Sequence, residues 1–157
     1  MTRKIIKNRE IINDSWQTLA DNDAIPSAQN IIVSHARWQQ QRDELISDNN
    51  KLGIIIDNEK SLDAIKDHLS DFDLIAIVFP AFKDGRGYSY ARLLRERYQF
   101  KGEVRAVGNI LRDQIYYLSR CGFDAFALDE GGDIKDALNA FNDFTVNYQP
   151  AYNSPVS

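Results

Sequence analysis

The chain has 157 residues, of which 43% are hydrophobic and 27% charged, and a chain of this length and composition can bury one sizeable globular core. Its formal net charge of −4 gives no reason to expect a nucleic-acid partner, and its single cysteine, Cys121, excludes an intramolecular disulfide. No apolar stretch approaches the length that spans a bilayer, and the basic N-terminus lacks the apolar core of a signal peptide, so we expect a cytoplasmic protein with no membrane partner.

The first 28 residues predict a small β-hairpin appendage. Two apolar pairs, Ile5-Ile6 and Ile11-Ile12, flank a polar turn, which is the spacing of a short hairpin. The residues after Tyr148 are rich in Pro, Asn and Ser and predict a disordered tail over 149–157. We therefore expect a single domain over residues 1–148.

From residue 31 onward, short apolar runs alternate with segments of helical spacing. The five runs cover residues 31–33, 52–56, 74–79, 104–107 and 125–128. The second and third runs are continuous, as expected for strands that are covered on both faces. Strands separated by helices indicate βαβ units. We predict the α/β class, with a mostly parallel sheet of about five βα units and the small N-terminal β-hairpin. The sheet is either an open doubly wound sheet or a partial TIM-like barrel.

The most pronounced local signal follows the third apolar run, where the chain passes through a glycine-rich turn into a helix. Ligands of parallel sheets bind beyond the carboxyl ends of the strands. Glycines allow close approach of a ligand to the backbone, a helix N-terminus favours negative charge, and an arginine offers a planar charged fork. We predict a small-anion site formed by Gly85, Arg86, Gly87, Tyr88, Arg105 and Arg112. The alternative is a tight turn whose arginine pairs with a carboxylate such as that of Asp84.

The basic residues concentrate in one segment. Between Lys83 and Arg105 there are seven basic and three acidic residues, a net charge of +4, whereas the rest of the chain has twelve basic and twenty acidic residues, a net charge of −8. A basic island in an acidic chain suggests an anionic ligand or an acidic partner surface. We expect Arg92, Arg95 and Arg97 to form a partner-docking face; the alternative is a solvated, arginine-rich helix face.

Candidate catalytic groups are sparse. His35 stands at a predicted strand end and Asp84 in the glycine-rich turn, where either could transfer a proton. Two separate histidines and one cysteine do not make a zinc site, so we predict no metal. The sequence carries neither a dinucleotide fingerprint nor a P-loop, and no cofactor is evident.

The block that begins at Phe79 resembles a bacterial family of unknown function whose members are commonly labelled probable oxidoreductase involved in sulfite reduction. The resemblance is carried by FPAFKDGRGYSYARLLRERYQFKGEVRAVGNILRDQIYYLSRCGFDAF. The family pattern has a glycine where Gln99 stands, and aspartates where Val78 and Asn109 stand. The label implies a role near assimilatory sulfite reduction, yet one cysteine cannot hold an iron–sulfur cluster.

Two functions follow from these observations. The first is a non-catalytic accessory protein of sulfur metabolism, which docks to a partner such as sulfite reductase or binds a small anion. The alternative is an enzyme that acts on a small anionic or phosphorylated substrate at the carboxyl-terminal edge of the sheet. In that case Arg86 and Arg105 would bind charge, and Asp84 or His35 would transfer protons.

Overall fold

The computed structural model describes residues 4–47, 50–56, 59–79, 86–108, 110, 114–128 and 134–139. The strands are β1 Lys4–Lys7, β2 Glu10–Asn13, β3 Gln17–Thr18, β4 Asn30–Ser34, β5 Lys51–Ile56, β6 Leu74–Phe79, β7 Glu103–Gly108 and β8 Ala125–Leu128. The helices are α1 His35–Ser47, α2 Glu59–Ile65, α3 Arg86–Glu96, α4 Ile115–Cys121 and α5 over residues 134–139, and a 3₁₀ segment over Lys66–Asp71 follows α2.

The strands form one mixed sheet in the order β2-β1-β8-β7-β6-β5-β4-β3. Neighbouring strands from β3 to β8 are parallel, whereas β1 is antiparallel to both β2 and β8. The sheet is curled into a half-barrel. The predicted fold class, a mostly parallel sheet of about five βα units, is therefore wrong.

Each predicted arrangement fails for a physical reason. A doubly wound sheet reverses its strand order and carries helices on both faces, whereas β3 to β8 follow one another in chain order. A TIM-like barrel is built from parallel βα units alone, whereas one end of this sheet is antiparallel. The N-terminal hairpin belongs to the sheet, because β1 pairs with β8 through Ile6–Phe126 and Lys7–Ala125.

The hairpin turn explains how β1 and β2 pair. Asn8 and Arg9 have φ angles of 52° and 68°, and two left-handed central residues give the turn type whose twist matches that of antiparallel strands. The resulting register sets Ile5 opposite Ile12 and Ile6 opposite Ile11. The edge of β1 that does not pair with β2 is hydrogen-bonded to β8.

Three residues, Asp14–Trp16, connect β2 at one edge of the sheet to β3 at the other edge; we call them the strap. Four residue steps from Asn13 to Gln17 span at most about 14 Å. A flat sheet of eight strands is about 34 Å wide. The short connection therefore forces the edges towards each other, and the face that the strap crosses must be concave.

The two faces of the sheet are covered differently. The larger hydrophobic cluster joins strand side chains such as Ile54 and Ile75 to buried residues from all five helices, among them Trp38, Leu62, Ala91, Leu118 and Ala137. A smaller cluster on the concave face contains Ile32, Leu74 and Ala76, with Trp16 of the strap packed against it. Helices therefore cover the convex face, and the strap covers the concave one.

Gln99 lies in the connection from α3 to β7 and has a φ of 55°. This left-handed conformation costs a residue with a Cβ roughly 1–2 kcal/mol. Glycine, which lacks a Cβ, would adopt this conformation without that cost.

Candidate functional site

The carboxyl ends of β4 to β8 lie along one edge of the sheet. Ser34 pairs with Ile55, Ile56 with Ile77, and Phe79 with Gly108, which in turn pairs with Leu128. Gly108 has a φ of 95°, and a Cβ there would lie 2.4 Å from the carbonyl oxygen of Phe79. The β6 and β7 backbones thus approach closely where the loop of the predicted anion site begins.

Most of the predicted anion site cannot be placed from the described residues. Asp84, Gly85 and Arg112 lie outside them. The backbone of Arg86, Gly87 and Tyr88 forms the first turn of α3, while their side chains are outside the described part. Anion binding at this turn stays a prediction.

His35 is the first residue of α1 and follows β4 directly. The Ser34 hydroxyl accepts a hydrogen bond from the backbone N–H of Arg37 and donates one to Asp21, which fixes the entry into the helix. The His35 ring centroid lies 6.4 Å from that of Trp38. Its Nε2 atom is buried and has no hydrogen-bond partner among the described residues. A buried, unpartnered imidazole nitrogen at a strand end is compatible with proton transfer.

Arg105 lies on the concave face, buried to 2% exposure, in contact with two carboxylates. Its Nη1 and Nη2 donate to Asp14 of the strap at 2.9 and 3.1 Å, and its Nε donates to Glu103 at 2.7 Å. The second Glu103 oxygen lies 3.0 Å from Lys7 Nζ. These four side chains form the strap cluster, which ties the hairpin, the strap and β7 together. Its charges are matched internally, so the geometry gives Arg105 a structural role.

Arg95 also faces inward. Its Nε donates to the carbonyl oxygen of Gly122 at 3.0 Å, and Nη1 donates to those of Phe100 and Gly102 at 3.0 and 2.7 Å. Its Nη2 lies 3.3 Å from Asp124 Oδ1. Arg95 thereby fixes α3 against the carboxyl end of α4 and the start of β8.

Burial is the largest cause of the pKa shifts of Arg95 and Asp124. Desolvation raises the pKa of Asp124, although the hydrogen bond from the Val104 N–H and the charge of Arg95 partly oppose the shift. Desolvation likewise lowers the pKa of Arg95, against the attraction of Asp124. Arginine remains charged at any ordinary pH, so Asp124 is the member of the pair that titrates.

A groove of about 320 Å³ separates α3 from α4. One face of α3 lines it through Ser89, Arg92, Leu93 and Glu96, followed by Arg97, and α4 contributes Tyr117 and Cys121. Residues spaced three and four apart share a helix face, and this spacing holds on both helices. We call this feature the α3–α4 groove.

The groove combines exposed cations with exposed apolar surface. Arg92 and Arg97 are exposed, with Glu96 between them. Tyr117 is 54% exposed, while Cys121 is buried. An arginine fork binds carboxylates bidentately, and an aromatic ring beside it adds contact area. Two of the three arginines expected to dock a partner therefore lie in the groove, whereas Arg95 faces inward.

Sequence reasoning did not assign the groove residues of α4. The pair Tyr116-Tyr117 carries the relevant signal, because neighbouring helical residues cannot both face the core. Tyr116 is 6% exposed and Tyr117 is 54% exposed. Asp14 was also missed as the partner of Arg105, and no local pattern links two residues 91 positions apart.

Two features are absent from the described part of the chain. No group of three or more His, Cys, Asp or Glu side chains in that part of the chain is arranged to hold a metal ion. Among the helices described, none is long and apolar enough to cross a membrane.

Comparison with known proteins identifies a family. Residues 53–157 match the sequence model of the family described as "Bacterial protein of unknown function (DUF934)". No curated protein and no solved structure matches the chain.

Proposed function

We propose, from the premise that this chain belongs to that bacterial family of unknown function, that it is a non-catalytic accessory protein which docks to a partner enzyme through the α3–α4 groove. The partner that we propose is an enzyme of assimilatory sulfite reduction, such as sulfite reductase, in the cytoplasm. Binding of a small anion at the Gly85–Arg86 turn, with Gly87, Tyr88 and Arg112, belongs to the same proposal.

The observation that carries the docking proposal is the exposure of Arg92 and Arg97 beside Tyr117. Exposed arginine and tyrosine are the residue types most often responsible for binding energy at protein interfaces. The other arginines described in the basic segment, Arg95 and Arg105, are held by internal carboxylates. Among the arginine side chains described in this segment, Arg92 and Arg97 are therefore the exposed ones, and both line the groove.

The assignment to sulfur metabolism is supported by the resemblance of the block after Phe79 to the family labelled for sulfite reduction. Reduction of sulfite needs electron carriers such as siroheme and an iron–sulfur cluster. A chain with one cysteine, Cys121, cannot supply the four thiolates of such a cluster. These points together favour an accessory role over a reductase.

Copurification tests the proposed function. The full chain carrying an affinity tag is expressed in a bacterium that encodes it, and sulfite reductase is measured in the eluate by activity and mass. We expect a complex that Arg92→Glu/Arg97→Glu disrupts and that Lys51→Glu/Lys66→Glu leaves intact, because both variants change the charge equally at exposed positions. Absence of a complex, together with unchanged sulfite reductase activity, would rule out docking.

The buried Nε2 atom of His35 favours a second candidate, an enzyme that acts on a small anionic substrate at the carboxyl edge of the sheet. Thermal-shift measurements with sulfite, sulfate, phosphate and nucleotides test it. Stabilisation that is lost in Arg86→Ala, while the melting temperature without ligand is unchanged, would favour a ligand site there. Turnover that His35→Gln abolishes would then identify an enzyme.

A further inference from the structure

We infer that the occupant of the α3–α4 groove is an acidic peptide segment of the partner, with one apolar side chain that enters between Leu93 and Tyr117. This inference rests on the proposed docking function and specifies the chemistry of the partner. It follows from the size of the groove, from the order of its side chains and from the charge of the rest of the molecule.

The groove is small and has room for one apolar side chain of a partner. Its volume of about 320 Å³ lies at the lower end of the range for small-molecule pockets. Half-buried Leu93 and buried Cys121 provide apolar surface, and the exposed ring of Tyr117 borders it. An aliphatic side chain of moderate size, such as leucine, matches this surface and would remove part of the Tyr117 ring from water.

The exposed arginines at the border of the groove favour a partner that carries carboxylates. Arg92 and Arg97 are exposed on α3 and at its end, and Glu96 lies between them on the same helix. Carboxylates of the partner can pair bidentately with each arginine, while Glu96 repels a continuous run of acidic residues at the centre. The expected motif therefore has acidic residues on both sides of an uncharged anchor.

The negative charge of the rest of the chain favours binding of an acidic peptide at the α3–α4 groove. Outside residues 83–105 the chain has a net charge of −8, so an acidic peptide is repelled elsewhere on the surface. Charge complementarity of this kind raises the association rate and sets the orientation of the partner. A basic peptide would find favourable surface over most of the molecule and would not be directed to the groove.

A direct binding experiment tests the inference on the full chain. The probe is a fluorescein-labelled peptide of about twelve residues in which glutamates flank a single leucine, measured by fluorescence anisotropy. Burial of a leucine side chain contributes more than the roughly 1.4 kcal/mol that corresponds to a factor of ten in affinity. We therefore expect at least tenfold weaker binding when serine replaces the leucine of the peptide.

Variants locate the binding. Arg92→Glu/Arg97→Glu is expected to weaken binding at least tenfold, and Tyr117→Ala several-fold, whereas Lys51→Glu/Lys66→Glu, which makes the same change in net charge, is expected to change it less than twofold. Raising the salt concentration should weaken binding by the wild type. Equal losses in the two double variants, equal binding of the serine peptide, or no binding by the wild type would overturn the inference.

Two further outcomes separate this inference from the proposed function. If the peptide binds with the expected pattern and sulfite reductase does not copurify, the sulfur-metabolism proposal fails and the inference stands. If sulfite reductase copurifies equally with the wild type and with Arg92→Glu/Arg97→Glu, the inference fails and the accessory role stands. A wild-type dimer that Arg92→Glu/Arg97→Glu dissociates in sedimentation velocity would also overturn the inference, because a second copy would then occupy the groove.

Discussion

Replacement of Arg105 by methionine should strongly destabilise the protein. The substitution keeps a long apolar side chain in the concave face and removes the charge that holds Asp14 and Glu103. Removing one member of a buried ion pair costs about 3–5 kcal/mol, because the remaining charge is buried without compensation. Here Glu103 keeps Lys7, and Asp14 keeps the hydrogen bond from the Trp16 N–H. We therefore expect the lower end of the range, about 3 kcal/mol.

Urea unfolding, followed by tryptophan fluorescence, measures this loss. Domains of this size unfold with roughly 5–15 kcal/mol, so a loss of about 3 kcal/mol moves the midpoint well outside experimental error. Trp16 lies in the strap itself, and its emission should shift to the red if the strap leaves the concave face. Arg92→Met, at an exposed position, is the matched control and should change stability by less than about 0.5 kcal/mol.

A double variant tests whether the uncompensated charge is the cause. Asp14→Asn keeps an acceptor for the Trp16 N–H and removes the charge that Arg105→Met leaves unpaired. The double variant should be more stable than the sum of the two single losses predicts, by about 1–3 kcal/mol. A loss of under about 1 kcal/mol in Arg105→Met, or single losses that simply add, would refute the structural role of the strap cluster.

Four further variants test the backbone and the buried aspartate. Gln99→Gly should raise the free energy of unfolding by about 0.5–1 kcal/mol, because it relieves a left-handed conformation at some cost in chain entropy; no gain in urea unfolding would contradict this. Gly108→Ala should cost about 2–4 kcal/mol, because its Cβ would collide with the Phe79 carbonyl. Gly53→Ala should cost less, because its nearest neighbours are side-chain atoms at 3.1 Å; equal losses in thermal unfolding would argue against the collision. Because burial raises the pKa of Asp124, the folded state binds more protons than the unfolded state, and stability should fall as the pH rises from about 4. Asp124→Asn should lack that part of the slope in a series of urea midpoints, and unchanged slopes would show that Asp124 does not titrate in this way.

The strands from β4 to β8 could be located from the sequence, because a covered strand needs an apolar run. Residues 52–56 lie within β5, and residues 74–79 form β6, as one uninterrupted apolar run each. Both faces of these strands are covered, one by helices and the other by the strap, so apolar and polar residues do not alternate. The mixed sheet could not be predicted. β3 has two residues, both exposed, and carries no pattern. The pairing of β1 with β8 joins segments more than 100 residues apart, and no local rule fixes such a partner.

The candidate site shows the same division between local and long-range information. Exposed Arg92 and Arg97 follow from the composition of the basic segment. Inward-facing Arg95 lies four residues after buried Ala91, so helical spacing alone places it near the core. The groove itself depends on how α3 packs against α4, and the hydrogen bond from Arg95 to the Gly122 carbonyl contributes to that packing. The sequence shows that Arg95 is present but does not identify its hydrogen-bond partners.

The pairing of β1 with β8 has a consequence for synthesis of the protein in the cell. The β1–β2 hairpin leaves the ribosome before its partner β8, which is made more than 100 residues later. Until then Ile5 and Ile6, which are both buried in the finished molecule, have no strand to complete their environment. Contacts between such distant segments form slowly, and exposed strand edges are prone to aggregate in the meantime. The nascent chain is therefore expected to depend on chaperones until residue 128 has emerged from the exit tunnel.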